Sequence, residues 1–321
     1  MPADSSPAGL PQSLAKERQA SRHRLYSGRV FSGASGGEIQ AAIALLCVAT
    51  AAASVSPIIV ARRWGFVGEG IGHSSFGGAG VVWLLACVLP QVEALRGGGA
   101  ALVGAALGAL VAAMLIGGLA RGRGHDKLGS DTAVGIVLVG SLALGFLARR
   151  VFEARFGGAP VGADALLFGA GIGGMTWGEA GVAAGVLLAV AGGMVLFRRE
   201  VLSYAFDPEL SALNGVPTTV VHYGLLVAIA LVVAAGARLV GAVLVTALLV
   251  LPGATAAIVS RRLVTAWGVG VGTALLAAGG AAATTTVLET SLPVGPVVVI
   301  YLILLFCVAV VIEKWKHATA S

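Results

Sequence analysis

Polar positions in this chain come in clumps, and long apolar stretches with almost no charge run between them. The stretches fall near 39–61, 71–90, 99–120, 132–148, 177–197, 218–237, 239–259, 264–288 and 294–312. A helix needs about 20 predominantly apolar residues to cross a bilayer. Inside hydrocarbon the backbone must satisfy its own hydrogen bonds, which a helix does within one segment. The pattern therefore predicts an all-α polytopic membrane protein of eight or nine spans. The piece "ADALLFGAGIGG" at 163–174 is too short to cross. It reads as a half-helix or re-entrant segment, an element that occurs where a cavity or path is lined.

Outside the spans the prediction is simple. Residues 1–38 are polar and rich in Ser, Gly, Pro and Arg, which predicts a disordered basic tail. They lack the apolar core and cleavage site of a secretory signal. A short second tail is expected at 316–321, leaving 39–315 as the membrane domain.

Composition sharpens this picture. Only 11% of the 321 residues are charged, against about 25% in soluble proteins, and the mean hydropathy is +0.94. The 48 glycines fit helices that pack closely in lipid, where small residues let backbones approach. The formal charge of +6 does not point to nucleic acid, because the basic residues sit in small groups between spans, as loop charges do. Cys47, Cys87 and Cys307 lie within apolar runs without a Cys-x-x-Cys spacing, and read as packing residues rather than a metal or redox centre. No GxxxxGK[ST] phosphate loop occurs, so ATP hydrolysis by that route is excluded. If the chain pumps, another subunit supplies the energy.

Loop charges give a direction. With nine spans, Arg62 and Arg63, the group Arg121, Arg123 and Lys127, then Arg198 and Arg199, Arg261 and Arg262, and Lys314 and Lys316 share one side. The positive-inside rule makes that side cytoplasmic. Arg96, the group Arg149, Arg150 and Arg155, and Arg238 then lie outside, together with the basic tail.

Two stretches carry chemistry. In "FDPELSALNGV", 206–216, Asp207 can cap a helix, Pro208 suits its first turn, and Glu209 adds negative charge at the positive dipole end. Gly215 can end it in the left-handed conformation. The spacing predicts a helix of about two turns on the cytoplasmic side, either a solvated connector or a docking element.

The second stretch is "GEGIGHSSFGG", 68–78, where Glu69 and His73 lie four residues apart. On a helix they share a face and can reach one cation. Imidazole nitrogen with carboxylate oxygen suits zinc or manganese, and ionisable groups in a span usually mark a substrate path. They can equally pair with each other near the surface, beside the turn after Arg62 and Arg63.

The remaining polar residues read more plainly. Asp131, with Ser130 and Thr132, is expected to cap a helix. Asp164 and Glu179 flank the short 163–174 segment, as solvated loop residues or as cation attractors at a mouth. His222 reads as a packing or interfacial histidine, and Glu289 as an outer-surface residue that can dock a partner. His23, His125 and His317 read as tail or loop residues. Pro252 kinks its span and Gly253 loosens it, as a fixed bend or as a gate hinge.

Taken in order, "SDTAVGIVLVGSLALG" (130–145), "LLFG" (166–169), "FDPELSALNGV" (206–216), "RLVGAVLVTALLVLPGATAAIVSRR" (238–262) and "SLPVGPVVVIYL" (291–302) resemble the metal-type ABC transporter permeases. These are the membrane subunits of zinc, manganese and iron uptake systems. The resemblance runs from about residue 40 to the end. It implies a permease homodimer in a prokaryotic inner or plasma membrane, seated on separate ATPase subunits that bind ATP and fed by a metal-binding solute-binding protein. It implies no cofactor beyond the transported divalent metal.

By the same resemblance, Asp207, Pro208, Glu209, Leu210, Ala212 and Gly215 form the coupling helix at 207–215. Glu69 and His73 stand where the family carries the Asp and His of its Gly-Asp-Ala-Leu-Ser-His motif, so Glu replaces Asp here. A permease for an iron chelate or cobalamin-like ligand, a proton-driven secondary transporter and an inactive paralogue are the rival readings.

Overall fold

The structure, a computed structural model, describes residues 36–120, 129–163, 166, 176–260, 262–287 and 294–320. Most of the expected tail at 1–38, the bulk of the 163–174 segment, and His23, His125, Asp164 and Glu289 lie outside the described residues.

Among the described residues every regular element is helical. In chain order they are α1 (Gly36–Ala61), α2 (Val67–Val88), α3 (Gly98–Ala120), α4 (Ser130–Phe156), α5 (Trp177–Leu196), α6 (Arg198–Phe206), α7 (Pro208–Leu213), α8 (Thr218–Val240), α9 (Ala242–Val259), α10 (Leu263–Val287) and α11 (Val294–Ala320). Eight of the helices are long and apolar enough to cross a membrane, and α9 is a shorter apolar helix. It is cut at both ends, by Gly241 at φ +87° and by extended backbone at Ser260.

The relation of α9 to α1 fixes how the chain is threaded. Ser56 on α1 accepts the Gly253 N–H at 2.7 Å, and Gly236 on α8 fits between Val48 of α1 and Val245 of α9. The pairs 48/245 and 56/253 have the same offset, so α1 and α9 run parallel and in register. α9 therefore passes through the bundle in the same direction as α1 despite its length. Both are buried at the centre, where Val48, Val55, Ile58, Val245, Leu248 and Leu249 are all but inaccessible.

Glycines make α2 the most tightly held helix. A Cβ at Gly78 would collide with the Gly104 carbonyl and sit 2.6 Å from Gly108 on α3. At Gly77 it would lie 2.7 Å from the Ser141 carbonyl of α4, and at Gly80 2.9 Å from Gly145. Backbones touch backbones here, which only glycine permits. Ser74 and Ser141 hydroxyls meet across the same seam at 3.0 Å.

Two helix ends differ from expectation. α4 starts at Ser130 from Gly129, which has no capping side chain, so Asp131 falls inside the first turn and favours the dipole instead of capping. α11 continues to Ala320, through the residues assigned to a C-terminal tail, since nothing in "EKWKHATA" breaks a helix.

Candidate metal path

The site is built from the start of α2. Backbone bonds from Trp64 N–H to the Ile59 carbonyl and from Val67 N–H to the Trp64 carbonyl fold residues 62–66 into a tight turn. Within it Arg63 holds φ +58°, the one positive value among described non-glycine residues. α2 then places Glu69 and His73 on one face, with His73 Nε2 3.8 Å from Glu69 Oε1. That is too long for a hydrogen bond. Two ligands each about 2.1 Å from one ion can stand at most about 4.2 Å apart, so both atoms can reach a single cation.

Glu69 and His73 line a cavity of about 420 Å³ with Gly65, Phe66, Thr246, Ala247 and Val250. The last three lie on the middle turns of α9, and Gly68 packs against Leu249 beside them. Glu69 lies in the first turn of α2, and Gly70 beside it packs against Ile116 near the end of α3 and Val134 near the start of α4. The Glu69 and His73 side chains are 43% and 21% exposed, and His73 Nδ1 is buried with no hydrogen-bond partner. Among the described residues no third His, Cys, Asp or Glu joins them. Thr246 was not anticipated, though a lone hydroxyl in "GAVLVTALLVLPG" was the available signal.

The predicted capped helix forms as α7. Asp207 Oδ1 accepts the N–H groups of Glu209 and Leu210 at 2.9 and 3.0 Å, Pro208 opens the helix, and Gly215 adopts φ +79°. Ser211 Oγ donates to the Asp207 carbonyl and meets Ser203 Oγ, each at 2.6 Å, which ties α7 to α6. Leu210 and Leu213 are left exposed. Ala212 lies on the same short helix.

α9 runs through Pro252 without interruption, and Gly253 is held by Ser56. Glu179 lies in the first turn of α5 rather than in a loop: its carboxylate accepts the Thr176 N–H at 2.9 Å while Thr176 Oγ1 caps the helix. His222 is a buried packing histidine, its Nδ1 2.8 Å from the Tyr204 hydroxyl.

The basic residues sort to two ends as the threading requires. Arg62 meets Tyr204 of α6, placing the α1–α2 turn beside the coupling segment. Arg96 lies over the Phe156 ring at the other end, where Arg149 and Arg150 hold Glu153.

A helical membrane bundle with a carboxylate–imidazole pair on a cavity between two of its helices, and a capped short helix at one end, has the build of a transport subunit. The chain belongs to the ABC 3 transport family, whose profile matches residues 38–313. It is an integral membrane protein of a prokaryotic plasma membrane. It is 28% identical over 227 residues to the manganese transport system membrane protein MntC of Halalkalibacterium halodurans, covering 70% of each chain. It is 27% identical to the manganese import system permease protein ScaB of Streptococcus parasanguinis, over 88% of this chain and 94% of that one. It is 28% identical to the chelated iron transport system membrane protein YfeD of Yersinia pestis, over 86% of both. Among solved structures, PsaBC from Streptococcus pneumoniae in complex with Fab shares the fold, with a TM-score of 0.67 and 24% identity over 85% of this chain and 90% of that one.

Proposed function

We propose that the chain is the permease subunit of an ATP-binding-cassette importer carrying a divalent metal ion. Manganese or iron is the leading cargo, in line with the names of its relatives, and zinc is the next. The observation that carries the reading is Glu69 beside His73 on one cavity walled by α2 and α9. Ionisable groups within a span are costly and usually mark a substrate or proton path. A cation leaving water would exchange part of its hydration shell for Glu69 oxygen and His73 Nε2. For Nε2 to offer its lone pair, the ring proton must sit on Nδ1. Two protein ligands hold an ion loosely enough to pass it on, whereas a closed four-ligand cage would keep it.

α7 faces the cytoplasm in this scheme and seats on a separate ATPase subunit, with exposed Leu210 and Leu213 as the apolar contact. A solute-binding protein delivers the metal on the opposite side, and a second copy of the chain completes the path. Pro252 and Gly253 act as a hinge only if the bond from Gly253 to Ser56 breaks during the cycle.

The test is ATP-dependent uptake of manganese, iron and zinc by the permease reconstituted with its ATPase and binding protein. His73→Ala should lower uptake by about tenfold or more, the equivalent of losing about 1.4 kcal/mol of ion stabilisation, while ATPase binding stays intact. Equal uptake in the variant would remove the site assignment. Uptake of an iron chelate but of no free ion would favour the kind of cargo for which YfeD is named. Uptake driven by a proton gradient without ATP would overturn the class.

A further inference from the structure

Residues from three separate parts of the chain meet between the coupling segment and the cavity. Tyr204 on α6 and His222 on α8 are buried, with the Tyr204 hydroxyl 2.8 Å from His222 Nδ1. Trp64, from the α1–α2 turn, is buried against both, its ring edge-on to His222 at 5.2 Å between centroids and tilted to Tyr204 at 6.5 Å. The Arg62 guanidinium lies 4.9 Å from the Tyr204 ring centre and 5.9 Å from that of Trp64. Behind them α3 closes the space, since a Cβ at Gly117 would stand 3.2 Å from His222 Nε2. No sequence motif announced the cluster.

What lies on either side of this cluster gives it a role. Below it, the Ser203 and Ser211 hydroxyls tie α6 to α7 at 2.6 Å. Above it, Arg62 and Trp64 bracket Arg63, whose left-handed backbone persists only where its surroundings hold it. The next two residues, Gly65 and Phe66, are walls of the cavity, and Glu69 follows one turn later. Packed aromatic groups do not compress, so movement on one side must appear on the other.

We propose that Arg62, Trp64, Tyr204 and His222 are positioning residues that carry displacement of α6–α7 into the turn that opens α2, and so into the wall of the ion cavity. The inference rests on the reading of α7 as the element that meets the ATPase.

The experiment uses the full permease bound to its ATPase, with Cys47, Cys87 and Cys307 replaced by alanine and Phe66→Cys as reporter. Phe66 is 65% exposed at the mouth of α2. The rate of its reaction with a thiol reagent is measured with and without ATP, and no metal is needed. In the otherwise unchanged chain ATP should alter that rate severalfold. Tyr204→Phe, which removes one oxygen atom, and Arg62→Ala should keep the nucleotide-free rate but lose most of the response. Arg62→Lys, which keeps a cation over the ring, should retain it. In a variant that assembles, a purely structural role would change the nucleotide-free rate and leave the response to ATP, and that result overturns the proposal. So does a full response in Tyr204→Phe, which decides the matter if Arg62→Ala fails to assemble. No response in the parent chain also overturns it. Absence of metal uptake would sink the cargo reading and leave this result standing.

Discussion

The Glu69 carboxylate stands 3.8 Å from His73 Nε2, on a side chain one methylene longer than an aspartate's. Removing the charge and shortening the arm are separable. Glu69→Gln keeps shape but loses the negative charge, and should abolish most uptake of every divalent ion. Glu69→Asp should keep uptake while altering the preference among manganese, iron and zinc, because the shorter arm widens the gap to Nε2. Competition between the three ions in proteoliposomes checks both. An unchanged ion preference in Glu69→Asp would show that arm length does not select the cargo. This pair was legible because four-residue spacing on one helix is a local property. The wall opposite was not, since Thr246, Ala247 and Val250 come from far along the chain.

At the scale of elements, α7 shows how much can be read from a few residues. Its cap, its opening proline and its left-handed end all depend on neighbours in sequence, so Asp207, Pro208 and Gly215 do what their types predict. Asp207→Ala should destabilise the element by about 1 kcal/mol, and Gly215→Ala by about 1–2 kcal/mol at its positive φ. Both should weaken co-purification of the ATPase without lowering the melting temperature of the isolated permease. Wild-type recovery of the ATPase from both variants would mean that α7 is not the contact. Asp131 shows the limit of the same reasoning. Its sequence suits a cap, but the cap position falls two residues earlier, at Gly129, and that shift turns a cap into a first-turn charge.

For the whole molecule, the testable consequence is sidedness. The α1–α2 turn and α6–α7 meet through Arg62 and Tyr204, while Arg96 and Phe156 meet at the opposite end. With the native cysteines replaced, Asn214→Cys should react with an impermeant maleimide only in inverted vesicles, and Val161→Cys only in intact cells. Labelling of both from one side would break the threading through α9, which is the step the shorter helix leaves most exposed to challenge.

Sequence by itself determined the spans, the capped helix and the shared face of Glu69 and His73. Each is a matter of composition or of spacing within a turn or two, where covalent geometry alone places the groups. Tertiary structure decided the rest. It set α9 in register with α1 and pressed the glycines of α2 against α3 and α4. It also gathered Trp64, Tyr204 and His222 into one cluster. In a bundle surrounded by lipid, helices meet through small residues and isolated polar groups, and apolar character marks lipid-facing and buried sides alike. The partners of each face therefore leave no periodic trace in the chain, and only the packed helices reveal them.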